Sequence, residues 1–212
     1  MSIIIDRYQK IKANINNKKI NIVAVSKTFP INHIKPLIDF GHCHFGENKV
    51  QEAETKWADI KKKNPSIQLH MIGGLQSNKA KKAVEIFDFI HSLDSVKLAN
   101  ALSKQQINSN KKLKYFIQVN IGMESQKSGI LPGDVDEFYT YCFKKLGLNI
   151  VGLMSIPPND NNSDKYFKYL YEANSSLGLK DLSIGMSSDY LTALKYNSTY
   201  LRIGSAIFGE RS

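Results

Sequence analysis

About eight short apolar runs, separated by segments of helical period, repeat along these 212 residues, and that alternation constrains the fold more than any other feature. The runs predict strands over 20–26, 42–46, 67–72, 89–92, 113–121, 150–155, 182–186 and 200–203. Helical patterns fall between them, over 31–40, 50–63, 77 to about 87, 94 to about 107, 135–146, 164–177 and 188–195. A leading helix over 4–19 is expected, because Ile4, Tyr8, Ile11 and Ile15 lie on one face. Punctuation agrees: Pro30 opens a helix, Gly41 and Gly147 close two, and Pro157-Pro158 forbids one directly after 150–155. Strands that alternate with helices pair in parallel, and eight such units predict closure as an α/β fold, a single (β/α)8 TIM barrel. With no internal repeat, long linker or low-complexity stretch, one domain over 1–212 is expected.

In such a barrel the chemistry gathers at the C-terminal ends of the strands. The first strand, Ile22-Val23-Ala24-Val25-Ser26, stops at Lys27. An amine at the end of a buried strand loses solvation, which lowers its pKa from about 10.4 toward neutrality. Its neutral form attacks aldehydes to give a Schiff base. The ordinary reading of a lysine is surface solvation, so Lys27 gains weight only from its company. Asn48 follows strand two, His70 and Gly73 end strand three, and Asn120 ends strand five. Met154 and Ser155 end strand six, Ser187 follows strand seven, and Arg202 with Gly204-Ser205 closes strand eight. Gly185-Met186-Ser187-Ser188 leads into a helix, whose free amides and serine hydroxyl suit phosphate oxygens. Gly204-Ser205-Ala206 offers close-approaching amides from the adjacent loop. Singly, such turns are ordinary caps, but two in the loops after strands seven and eight match the usual phosphate position of the fold.

Other signals point less far. His42-Cys43-His44 invites a metal reading, but in a strand the two histidines share a face while Cys43 faces away, so strand-end histidines are the simpler reading. Cys43 and Cys142 are far apart and form no CxxC pair, which suits two free thiols in a reducing compartment. The formal charge of +10 raises nucleic acid as a partner, yet the lysines are scattered and no nucleic-acid-binding motif occurs. The absence of a long apolar run or a secretory leader predicts a soluble, cytoplasmic protein without membrane contact.

Seven blocks carry a resemblance: AVSKT at 24–28, FGENKVQE at 45–52, HMIGGLQSNK at 70–79, VNIGMESQKSG at 119–129, GLMSIPP at 152–158, GMSSD at 185–189 and RIGSAIFG at 202–209. In this order they resemble the pyridoxal phosphate homeostasis proteins (YggS/PROSC-like), which share a fold-type III barrel with the N-terminal domain of alanine racemase. The resemblance implies that Lys27 forms the Schiff base with pyridoxal 5'-phosphate (PLP) and that Asn48 lies near the phenolic oxygen. It also implies that Ser187, Gly204 and Ser205 hold the phosphate and that Arg202 faces the pyridine nitrogen. Met71 replaces a usual Phe, Asn197 stands where Gly is common, and the tail stops at Ser212 without an aromatic; none of these touches a cofactor residue.

Three functions compete. A PLP carrier for vitamin B6 homeostasis needs only the site described. A racemase-like enzyme needs acid/base groups on both faces of Cα; in alanine racemase one of them is a tyrosine from a second domain, and this sequence ends just after strand eight. A nucleic-acid binder requires a continuous cationic stripe. The carrier is the expected function, with no catalytic residues, no metal, transient contact with PLP-dependent enzymes as its partnership, and a monomeric state.

Overall fold

Eight parallel strands close on themselves in sequence order, with β8 pairing back to β1. They are β1 (Asn21–Val25), β2 (His44–Glu47), β3 (Gln68–Met71), β4 (Phe89–Leu93), β5 (Lys114–Val119), β6 (Ile150–Ser155), β7 (Asp181–Met186) and β8 (Tyr200–Ile203). The computed structural model describes residues 2–15 and 19–210. The helices are α1 (Ile3–Ile15), α2 (Ile31–Asp39), α3 (Val50–Lys63), α4 (Ala80–Ile86), α5 (Val96–Ser109), α6 (Val135–Thr140), α7 (Ser163–Ser176), α8 (Tyr190–Leu194) and α9 (Ser205–Phe208). The expected (β/α)8 barrel is therefore present.

Strand periodicity sorts the side chains into two cores. Ile22 and Ala24 of β1 join the layer between barrel and helices, while Val23 points into the barrel with Phe89, Phe116, Met154 and Tyr200. Barrel interiors are commonly filled by branched aliphatic residues. This one is aromatic and polar: His70 stacks on Phe89 with ring centroids 4.2 Å apart, and His91 stacks on Phe116 at 4.3 Å. In the outer layer α3 buries Val50, Ala53 and Trp57, and the indole packs on Phe45 at 4.8 Å. Trp57 is fully buried, so truncation to Ala would cost about 3–5 kcal/mol.

Helix α1 buries the expected stripe of Ile4, Tyr8, Ile11 and Ile15. The last turn of the helix expected over 4–19 falls at 16–18, outside the described residues. Asn197 has φ 53, a left-handed conformation that Asn tolerates nearly as Gly does.

Some expectations shift. Strand β2 begins at His44 rather than at His42, so the two histidines do not share a strand face. His42 instead places Nε2 2.8 Å from the His44 carbonyl and Nδ1 3.2 Å from the Tyr8 hydroxyl, outside the barrel; His44 turns inward to His70. Burial drives the His42 pKa down to about 4, too low for a charged role at neutral pH. Neither Ser77 nor Asn78 caps a helix with its side chain; a 3-10 turn over Ser77–Lys79 leads into α4 instead. Helix α5 starts after Ser95, whose hydroxyl accepts the Leu98 amide at 3.3 Å, rather than at Asp94. The helix expected over 135–146 changes to a π-helical segment at Tyr141–Lys145 before Gly147.

Candidate functional site

Inward parity continues past the strand ends, and this builds a cleft at the C-terminal rim. Val25 and Lys27 from the β1 end, Asn48 beyond β2, Ser187 beyond β7, and Arg202, Gly204 and Ser205 from β8 onward all line one cavity of about 560 Å³. That volume suits a small molecule. The six residues singled out from sequence thus meet in one place. Phe29, Ile72, Ile156 and Met186 add apolar walls that sequence reasoning did not identify.

Five sequence candidates do not line this cleft: Gly73 lines an adjoining pocket, Met154 is buried in the barrel core, and His70, Asn120 and Ser155 also lie outside it. His70 lies fully buried inside the barrel, between His44 and His91, because residue 70 precedes the rim by two positions. Asn120 lines an adjoining pocket of about 280 Å³, and its side-chain amide donates to the Glu124 and Lys127 carbonyls. Ser155 contributes its carbonyl, not its hydroxyl, to the site's support. Among the described residues no group of three or more His, Cys, Asp or Glu is arranged to hold a metal ion.

Lys27 is half-buried and sits in a tight turn directly after the strand. Thr28 adopts φ 69, a left-handed conformation that is costly for a β-branched residue. The turn is held from α3: the Thr28 amide donates to Glu52 Oε1 at 2.6 Å, and Lys56 Nζ donates to the Ser26 carbonyl at 2.9 Å. Lys56 also bridges Glu52 at 2.8 Å and Glu47 at 3.0 Å. Glu47 Oε1 further accepts from Ser26 Oγ at 2.7 Å and Trp57 Nε1 at 2.9 Å. Burial pushes the Glu47 carboxyl upward, and the donors Trp57, Lys56 and Ser26 draw it back only in part. For Glu52 burial also acts upward, but the bonds from Lys56 and Thr28 outweigh it and hold the carboxyl below its ordinary range. Sequence reasoning missed this clamp, although the i,i+4 pair Glu52–Lys56 on a clear helix was its available signal.

Across the cleft, Arg202 is 4 % exposed and its donors are directed by the barrel wall. Nη1 donates to the carbonyl and hydroxyl of Ser183, both at 2.6 Å, and Nη2 to the Ser155 carbonyl at 2.8 Å. Burial lowers its pKa to about 10, opposed by Asp189, so the guanidinium stays charged at neutral pH. In the same corner the amides of Gly204 and Ala206 converge on Ser187 Oγ, each at 3.3 Å. Asp189 Oδ1 pins the preceding turn by accepting the Met186 amide at 2.6 Å. Asn48 is seated against a glycine two residues past the end of β3: a Cβ at Gly73 would lie 2.8 Å from Asn48 Cβ. The arrangement can offer an amine to a carbonyl compound, a nest of amides and hydroxyls to an anion, and a fixed donor-only cation to a ring or carbonyl acceptor.

Comparisons with known proteins point the same way. The alanine racemase N-terminal domain family matches residues 2–212. The pyridoxal phosphate homeostasis protein of Vibrio alginolyticus is 36% identical over 218 residues, spanning 97% of this chain and 92% of that one. Its counterpart in Escherichia coli K12 is 37% identical over 203 residues, spanning 92% and 87%. Among solved structures, PipY of Synechococcus elongatus with PLP bound superposes with a TM-score of 0.86 at 32% identity, covering 98% of this chain and all of that one. An alanine racemase from Clostridium difficile superposes with a TM-score of 0.75 at 14% identity over 97% of this chain and 56% of its own, a likeness of fold.

Proposed function

The chain belongs to the pyridoxal phosphate homeostasis protein family, built on the alanine racemase N-terminal barrel, and from that premise we propose that it binds PLP as a reservoir or carrier for intracellular vitamin B6 homeostasis, without substantial turnover. The observation that carries this reading is the meeting of Lys27, Arg202 and the Ser187–Gly204–Ala206 nest around one cleft. The cofactor supplies an aldehyde that an amine can capture and a phosphate that anchors the ring. Those demands fit the residues present.

In this reading Lys27 holds the aldehyde carbon as a Schiff base. The hydroxyl of Ser187, with Ser205 and the Gly204 loop, takes the phosphate, for which converging amides are the natural partner. Asn48 lies at the phenolic side of the ring. Arg202 faces the pyridine nitrogen and, having no proton acceptor, leaves it unprotonated. A ring without that proton withdraws electrons weakly from a substrate carbon, so the site retains its ligand rather than activating it. The same reading makes the protein a cytoplasmic monomer that meets PLP-dependent enzymes transiently and uses neither nucleic acid nor membrane. Among the described residues no helix is long and apolar enough to cross a membrane.

Titration of the purified protein with PLP, beside Lys27→Ala, tests the binding claim through a visible absorption band expected only in the wild type. Incubation of the loaded protein with D- and L-amino acids tests the claim of no turnover. Multiple turnovers per site would favour the alternative, a racemase-like PLP enzyme.

A further inference from the structure

A second polar system runs through the barrel beneath the cleft. It begins at the half-buried His44 on β2, whose Nδ1 lies 2.9 Å from His70 Nε2. His70 Nδ1 lies 2.9 Å from His91 Nε2 on β4, and His91 Nδ1 lies 2.8 Å from Ser183 Oγ on β7. Ser183 in turn receives Arg202 Nη1 at 2.6 Å. His70, His91 and Ser183 are fully buried. Unpaired polar groups at such positions would be costly, so a continuous string that satisfies each member is a built feature.

The string has one direction, set by chemistry at its end. A guanidinium only donates, so Ser183 Oγ accepts from Arg202; its own proton, which would be costly to bury without a partner, finds its acceptor in His91 Nδ1 at 2.8 Å. His91 then carries its proton on Nε2 and donates to His70 Nδ1; His70 does the same toward His44 Nδ1. A second proton on His70 would set two N–H groups face to face at its 2.9 Å joint with His91, and one on His91 would meet the Ser183 hydroxyl proton at 2.8 Å. Burial and the neighbouring charges act in the same sense, keeping both imidazoles neutral. Arg202 commits three N–H groups to Ser183 and Ser155, which leaves its remaining two for a ligand in the cleft it lines.

We propose that Ser183 and the histidine string His91–His70–His44 are positioning residues for Arg202, holding its guanidinium in one orientation toward the ring nitrogen and themselves locked as neutral Nε2–H tautomers. The inference rests on the PLP reading of the cleft for its ligand, but its geometry stands in the protein alone.

The test therefore has a ligand-free arm and a loaded arm. In the ligand-free protein, ¹⁵N NMR of the ring nitrogens should show all three histidines as Nε2–H tautomers at pH 7, and the Arg202 Nη groups should rotate slowly. Ser183→Ala should collapse that slow rotation, and Ser183→Thr, which keeps the hydroxyl, should restore it. In the loaded arm, Ser183→Ala should weaken PLP binding about tenfold and Ser183→Thr should recover it, both with the Lys27-dependent band retained. An Nδ1–H tautomer or an imidazolium in the string, or an Arg202 signal unaffected by Ser183→Ala, overturns the inference. Unchanged PLP affinity in Ser183→Ala, with the band present, overturns the positioning role while leaving the PLP reading intact. Absence of a band in the wild type would instead contradict the PLP reading, and the ligand-free arm would still decide the string.

Discussion

The backbone amide of Thr28 donates to the Glu52 carboxylate at 2.6 Å while Thr28 itself sits at φ 69, so helix α3 holds the turn that presents Lys27. The strain belongs to the backbone beside Lys27, and the acceptor that offsets it lies on a different element.

Removing that acceptor should loosen the amine's position. Glu52→Ala is expected to lower PLP affinity about tenfold and stability by about 1–2 kcal/mol, since the Thr28 amide and Lys56 each lose a partner. Equilibrium titration and urea unfolding check the two effects separately.

Thr28→Gly removes a branched side chain from left-handed backbone. Relief of about 1–2 kcal/mol of strain outweighs the added freedom of the unfolded chain, so stability should rise by about 0.5 kcal/mol. A loss of stability in denaturant melts would contradict the strain assignment.

The pair Glu47–Lys56 is buried on both sides. Lys56→Met leaves Glu47 as an uncompensated buried acid and should cost about 3 kcal/mol, whereas Glu47→Gln combined with Lys56→Met should recover a large part of that loss. Additive losses in the double variant would show that the two side chains act independently.

Acid should destabilise the fold through its buried imidazoles. Below about 6.5 the unfolded chain takes up protons. Folded His42 refuses its proton until about pH 4, and His70 and His91 are shifted in the same direction. Stability is therefore full above 6.5 and falls as pH drops, by up to about 1.4 kcal/mol per pH unit for each histidine in its window. Glu47 acts oppositely, because its raised pKa lets the folded state bind a proton before the unfolded state does. Urea midpoints that stay constant from pH 6.5 to 5 would refute the histidine contribution.

The pattern of apolar runs was legible down to residue bounds where one physical signal dominated. The strands at Ile150–Ser155 and Tyr200–Ile203 and the helix at Val50–Lys63 coincide with their expected ranges. The strand-end rule placed the six rim residues among a wider set that also held His70, Gly73, Asn120, Met154 and Ser155, and the family resemblance is what selected them. What escaped depends on which neighbour a side chain meets across the barrel. No spacing in the sequence announces that His91 reaches Ser183, 92 residues later, or that Glu47 accepts from Ser26, the residue before Lys27. His42 was misjudged because period-two reasoning presumes a strand, and the ladder of β2 starts only at His44.

Borohydride reduction of the PLP-loaded protein, followed by peptide mapping by mass spectrometry, tests the central claim most directly. The account predicts a reduced phosphopyridoxyl adduct on the peptide containing Lys27, and on no other at stoichiometric PLP. An adduct spread over surface lysines, or one that persists in Lys27→Ala at the same yield, would contradict it.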